Sequence, residues 1–238
     1  MVKGIFFDLG GTLVSYHQVN RTHTKVLFAA AQRLGMGDDP ERLKAAYARA
    51  LSELTQDYAR KDYYLHRDFF RDTFVRCFEH LEVAMNPAVD AWYQQEHLRQ
   101  LQSCLALKPE CHTALAALKA KGLYLSIASN IDDDMLAPIV EREQLAQHMN
   151  HWTSSEEAQS CKPHHRFFEV CLEKSGLAPQ EVLFVGDSPE HDINGAHRLG
   201  MRTALVLNET GEPPLQSGQV AVAADHTIRS LLELAELV

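Results

Sequence analysis

The amino-acid sequence predicts an α/β fold in which a doubly wound parallel sheet core carries an inserted α-helical cap domain. Three observations predict it. Beyond Leu105, short apolar runs alternate with amphipathic stretches closed by glycines, the pattern of strands joined by crossover helices. A further apolar run, Ile5-Phe6-Phe7, stands alone at the N-terminus. Between them, from about His17 to Gln102, the periodicity is helical throughout and no strand-like stretch interrupts it. The expected partition is a core of residues 1–15 and 103–238 and a cap of residues 16–102.

Lys3 to Leu9 reads as the first strand, and its unbroken apolar centre suits a parallel strand covered on both faces. Inside the insertion, Asp39 before Pro40 and Asn86 before Pro87 are helix starts. A short polar side chain accepts from the first turn, and proline there loses no hydrogen bond. Gly35 is a helix stop after Val26-Leu27-Phe28 and Leu34. Next come a helix from about Pro109 to Lys121, closed by Gly122, and a strand from Leu123 to Ala128. A helix from Pro163 to Lys174, stopped by Gly176, leads to the strand Val182-Leu183-Phe184-Val185. Ile193 to Leu199, stopped by Gly200, then leads to a strand from Arg202 to Leu207. His148 to Ser154 is a further expected strand, and Glu209 to Gly218, rich in glycine and proline, an expected surface loop.

A chain of 238 residues accommodates one large domain or a core with a smaller inserted one. The hydrophobic fraction of 45% and charged fraction of 23% are those of a globular protein. No apolar run approaches the ~18 residues that span a bilayer, so no membrane partner is expected. The N-terminus has one positive charge and meets an aspartate after a short apolar stretch, too little for a signal peptide. Five cysteines, odd in number and without a CxxC pair, suggest neither a zinc knuckle nor a disulfide framework. A reducing cytoplasm is the simplest expected setting. The net charge of −9 and the lack of a Lys/Arg cluster speak against a nucleic-acid partner. A small anionic substrate, which feels only the local field, remains compatible.

In open α/β sheets ligands bind outside the carboxyl ends of the strands, where this sequence places Asp8, Ser129-Asn130 and Gly186-Asp187. Phosphoryl transfer through a carboxylate needs a nucleophile, a fixed cation, a phosphate cradle and a metal with hard oxygen ligands. Asp8 is followed by Gly10-Gly11, whose missing side chains let a phosphate approach backbone N–H groups. Ser129 offers a hydroxyl, and Lys162, just ahead of the helix opened by Pro163, a positive charge. A cation at the positive end of a helix is locally unfavourable, which points to an anionic partner. Asp187 and Asp192 bracket a short loop, so both carboxylates can serve one Mg²⁺ directly or through water.

Asp8-Leu9-Gly10-Gly11-Thr12-Leu13, Ser129-Asn130, Lys162-Pro163 and Gly186-Asp187-Ser188-Pro189-Glu190-His191-Asp192 resemble, in order and spacing, the four motifs of the haloacid dehalogenase-like superfamily. Each alone is weak; four in order at successive strand ends are a strong joint signal. The helical insertion resembles the cap of many such enzymes. The resemblance implies a Rossmann-like core, Mg²⁺ as cofactor and a small phosphorylated metabolite as substrate. It further implies that Asp8 forms an aspartyl-phosphate, with Thr12 holding the loop and orienting the site. Ser129, Asn130, Lys162 and the Gly10-Gly11 backbone would bind the phosphoryl group. Asp8, the Gly10 carbonyl and Asp187 would hold the metal, supported by Asp192.

One departure stands out. Phosphatases of the superfamily usually carry a second aspartate, the general acid and base, two residues after the nucleophile; here that position is Gly10. Its carbonyl still serves a metal, but side-chain acid–base catalysis, worth roughly 10²–10⁴-fold, is lost. Tyr16 and His17, near the cap entrance, are the first candidates for a substitute proton donor. Dehalogenases and phosphonatases of the superfamily also lack this aspartate. The former typically dispense with the metal that Gly186-Asp187 preserves, and no cap lysine stands out for a Schiff base, Lys44 and Lys61 reading as solvated helix charges. Three readings follow: a Mg²⁺-dependent phosphatase, a 2-haloacid dehalogenase in which Asp8 attacks carbon, and a catalytically weakened protein that binds a phosphorylated ligand.

The thirteen histidines give no metal pattern. His164 and His165 are expected to diverge on a helix, His112 and His197, in helical stretches, to be surface or packing residues, and His191 to be solvent-exposed. The stretch from Tyr63 to Phe70 reads as a packing face of a cap helix.

Overall fold

The computed structural model describes residues 1–36, 39–207 and 222–238; the expected surface loop from Glu209 to Gly218 lies outside them. The chain opens with β1 (Gly4–Phe7), every residue of which is buried. Phe6 packs on one face of the sheet with Phe167, Phe168 and Phe184, while Ile5 and Phe7 pack on the other with Leu115, Leu125 and Ile127. This period-2 division between two apolar layers explains the unbroken apolar run. Each such side chain contributes about 1.5–3 kcal/mol by burial.

After β2 (Val14–Ser15) come four helices: α1 (Val19–Arg33), α2 (Pro40–Tyr58), α3 (His66–His80) and α4 (Pro87–Cys104). Asp39 and Asn86 cap α2 and α4 as expected, accepting from Arg42 N and Ala88 N. The helices share their own core, in which Val26, Ala30, Leu43, Phe74 and Phe78 meet. Tyr63 to Leu65 precede α3 rather than belong to it. β3 (Ala106–Leu107) pairs antiparallel with β2, so a two-stranded ribbon carries the chain out to the helical cap and back. It is too short to read from a sequence pattern.

The core resumes with α5 (Cys111–Ala120), β4 (Tyr124–Ser129), α6 (Asp133–Arg142) and β5 (His151–Ser154). Then follow α7 (Ser155–Ala158), α8 (His165–Ser175), β6 (Val182–Gly186), α9 (Asn194–Arg198), β7 (Arg202–Val206) and β8 (His226–Ile228). Apart from the β2–β3 ribbon, the six described strands form one parallel sheet in the order β5-β4-β1-β6-β7-β8. β1 is central, flanked by β4 and β6, so the chain winds away from it in both directions and a crevice opens at its carboxyl end.

Several boundaries differ from the sequence expectation. The helix after Lys162 begins at His165 rather than at Pro163, and Lys162 lies ahead of it as expected. The expected Ile193–Leu199 helix is preceded by a π-helical turn, Pro189–Ile193. α6 and β8 had no counterpart in the sequence reading.

Candidate active site

Four connections at the carboxyl edge of the sheet converge. Asp8 follows β1, and its backbone N–H donates to Val185 O of the neighbouring strand at 2.8 Å. Ser129 ends β4 and donates from Oγ to Asp8 Oδ1 at 2.9 Å. Lys162, in the connection after α7, reaches the same Oδ1 with Nζ at 2.7 Å, Asp192 Oδ1 at 2.6 Å and Ala128 O at 3.0 Å. Lys162 is only 4% exposed, which rules out a surface charge. Asn130 fixes it there: its Nδ2 donates to Lys162 O at 2.9 Å and its Oδ1 accepts from Lys162 N at 2.7 Å. The Asn130 side chain thus acts on the lysine loop.

Asp187 follows β6, and Asp192 stands in the π-helical turn, whose widened ladder places functional groups in many proteins. Ser188 shapes that turn, accepting from His191 N at 3.0 Å while its own N–H donates to Asp192 Oδ2 at 2.9 Å. Asp8, Asp187 and Asp192 are all buried, and one carboxylate oxygen from each lies within 4.8 Å of the others. Burial, then the charges of Asp8 and Asp192, hold the Asp187 carboxyl well above the usual range despite Lys162 and Lys108. Asp192 is raised chiefly by burial, against the pull of Lys162. Burial opposes the Lys162 ammonium, but Asp192 and Asp8 outweigh it and hold the charge in place. Three hard anionic oxygens this close match a small divalent cation such as Mg²⁺, which also relieves their repulsion.

The left-handed backbone in the first loop falls on Gly11 (φ 74°), and Gly10 does not share it. A Cβ on Gly11 would stand 1.9 Å from Asp187 Oδ2, so the second glycine makes room for the carboxylate cluster. A Cβ on Gly10 would stand 2.3 Å from the Tyr16 hydroxyl oxygen. Tyr16 therefore fills the space that a side chain at position 10 would enter. Burial, followed by Asp187, Asp8 and Asp192, holds its phenol protonated well above the usual range. His17, the other expected candidate, is exposed, although it too borders the cavity. Thr12 is fully buried in the same loop, and its Oγ1 finds no hydrogen-bond partner among the described residues.

The histidines depart from expectation at two places. His191 is half-buried in the cavity wall, its ring pushed down to about 4 by burial and then Lys162. The rings of His164 and His165 do not diverge but lie 4.3 Å apart. Of the two alternatives for His112 and His197, surface or packing, both take the surface and are exposed.

A cavity of about 990 Å³ extends from Asp8 into the cap. Its wall includes Tyr64, His66, Arg67, Phe69 and Phe70 from the aromatic stretch, so that stretch both packs and lines the cavity. Asp132, absent from the sequence reading, joins cap to core: its carboxylate accepts from His66 N and Arg67 N, each at 2.8 Å. The run Asp132-Asp133-Asp134 ahead of Leu136, Ile139 and Val140 was the available signal, as an acidic helix start.

The family model of haloacid dehalogenase-like hydrolases matches residues 2–200. The chain is 27% identical to the ribulose-1,5-bisphosphate 5-phosphatase of Halopiger xanaduensis, the alignment covering 100% of both proteins. It is 26% identical to (S)-2-haloacid dehalogenase 4A of Burkholderia cepacia, over 98% of this chain and 93% of that protein. The fold is similar to that of the magnesium-bound hydrolase YfnB of Bacillus subtilis, with a TM-score of 0.77 at 16% identity over 99% and 98% of the two chains.

Proposed function

The chain belongs to the haloacid dehalogenase-like hydrolases, and on that premise we propose that it is a Mg²⁺-dependent phosphatase of small phosphorylated metabolites. The observation that carries this reading is the buried cluster of Asp8, Asp187 and Asp192, with Lys162 bonded to two of its members. A site that attacks carbon to expel halide gains nothing from a cation site beside its nucleophile. Phosphoryl transfer does, because negative charge concentrates there.

Asp8, the Gly10 carbonyl and Asp187 would hold Mg²⁺, with Asp192 supporting the site, and the bound ion would supply charge neutralisation at the phosphoryl oxygens. Ser129 and Lys162 both grip Asp8 Oδ1, which leaves Oδ2 to attack phosphorus. The new bond joins that oxygen to phosphorus as the ester P–O bond breaks, and the leaving oxygen takes its proton from water. A water molecule then hydrolyses the aspartyl-phosphate, releasing inorganic phosphate and restoring the carboxylate. Ser129, Lys162 and the Gly10-Gly11 backbone would bind the phosphoryl oxygens, while Thr12 and Asn130 keep the two loops in place. The proposed core comprises residues 1–15 and 103–238, and the cap of residues 16–102 closes the site against bulk water.

The test is turnover of 4-nitrophenyl phosphate and of chloroacetate, each with Mg²⁺ and with chelator. The expected result is Mg²⁺-dependent release of phosphate only, reduced by more than ~10⁴-fold in Asp8→Asn, as for other enzymes stripped of a covalent nucleophile. Metal-independent chloride release would replace this reading with a dehalogenase. The missing acid at position 10 favours that alternative, because halide leaves without a proton.

A further inference from the structure

The cavity beyond Asp8 bears on the alcohol that the phosphate leaves, and the inference drawn from it rests on the phosphatase reading. About 990 Å³ holds an organic body of considerable size. The cap lines it with Tyr47, Leu51, Phe70, Tyr93, Leu98 and Leu101. Three lysine or arginine side chains reach the wall: Arg67, Arg71 and Lys162. All three are occupied by carboxylates of the chain itself. Arg67 donates to both oxygens of Glu156 at 2.7 and 3.0 Å. Arg71 clasps Asp90 through three contacts of 2.8 to 3.2 Å. Lys162 lies between Asp8 and Asp192. Residues 37–38 and 208–221 contain no lysine or arginine, so they add no further such cation.

His23 and His97 add polarity to the wall without charge. Their rings are joined at 2.7 Å and sit against Phe70 and Tyr93. Burial pushes His23 down to about 4 and His97, with His23 beside it, well below the usual imidazole range. Two neutral imidazoles sharing one N–H···N bond leave one donor and one acceptor nitrogen between them.

We propose that the leaving alcohol is an uncharged, largely aromatic or alkyl body, and that the cap rejects phosphate esters bearing a second anionic group. A second phosphate or a carboxylate would lose its water against the apolar part of the wall, where Arg67 and Arg71 are already paired and Lys162 serves the phosphoryl group being transferred. The distal part of the ligand is thus selected by apolar contact, with the histidine pair meeting at most a hydroxyl or amide.

The decisive comparison uses two esters with closely similar phenol leaving groups and shapes, 4-propylphenyl phosphate and 4-(2-carboxyethyl)phenyl phosphate. The expected kcat/KM favours the neutral ester by about 10²-fold, the discrimination that an unpaired anion in an apolar site produces. Asp90→Asn, which frees Arg71, should raise kcat/KM for the carboxylated ester by roughly tenfold and leave the neutral one within about twofold. Calorimetric binding of both esters to the Asp8→Asn protein gives a readout independent of turnover. Turnover with equal or better use of the carboxylated ester overturns the inference and leaves the phosphatase reading standing. No turnover of either ester, with the neutral one still bound more tightly, overturns the phosphatase reading and keeps the cavity's preference. Equal binding without turnover overturns both.

Discussion

Position 10 separates this chain from the phosphatases it resembles, and Tyr16 shows what fills the place. An aspartate on Gly10 would meet the Tyr16 hydroxyl at 2.3 Å and the ring carbon bearing it at 2.8 Å, counted from Cβ alone. The obstacle is steric, since Gly10 does not need a positive φ. Tyr16 donates a hydrogen bond readily but gives up its proton poorly, because burial and three carboxylates all favour the neutral phenol. Turnover should therefore fall steeply as the leaving alcohol becomes less acidic. Gly10→Asp alone should bring no gain on alkyl phosphates. Combined with Tyr16→Ala, it should raise their turnover over Tyr16→Ala by up to ~10²-fold, the lower end of general-acid effects, with little change for aryl esters. Steady-state kinetics on matched alkyl and aryl esters, with circular dichroism to verify folding, checks this; an equal gain without Tyr16→Ala would show that the ring is no obstacle. The missing acid was legible from one glycine in a motif. Its occupant was not, because a side chain six residues away folds back across the loop only in three dimensions.

Among the elements, α3 depends on the core for its start. Leu65 precedes it and caps nothing, so the first two N–H groups of the helix are satisfied across the interface by Asp132. The bidentate Arg67–Glu156 pair and the Cys161 N–H to Asp62 O bond tie the same stretch of cap to the core. Asp132→Ala should cost about 1–2 kcal/mol, the range for lost helix caps, and lower Tm by about 2–4 °C per kcal/mol. The loss should be local: amides at the start of α3 exchange hydrogen faster, while those of β1, β4 and β6 keep their protection. Unchanged exchange at His66 and Arg67 would mean that the latch does not hold the cap. Strands with unbroken apolar centres and helices with polar N-caps were legible here. α3 was blurred because its cap comes from Asp132, 66 residues along the chain from His66, and β8 because three residues carry no period.

Across the whole molecule, the proposed metal site would set a balance between protons and metal. Asp187 and Asp192 have folded pKa values raised above the ~3.9 of a free aspartate, so between those limits the native state holds protons that the unfolded chain has released. Without metal, this contribution to stability is fully present below the unfolded value and is lost as pH rises through the raised folded values. A divalent cation needs the ionised carboxylates, so it must displace whatever proton they retain. Mg²⁺ affinity should therefore rise with pH in the same window, by about tenfold per pH unit for each proton displaced. Thermal unfolding at a fixed, subsaturating Mg²⁺ concentration measures this, with the metal-induced gain in Tm expected to be larger near pH 8 than near pH 6. Other groups titrate over this range, and Asp187→Asn separates them. An amide at 187 carries no proton to displace, so its Mg²⁺ response should be weaker and less steep with pH, Asp192 supplying the slope that remains. A response in the parent protein that is the same at both pH values, or a response as strong and as steep in Asp187→Asn, would remove Asp187 from the proposed metal site.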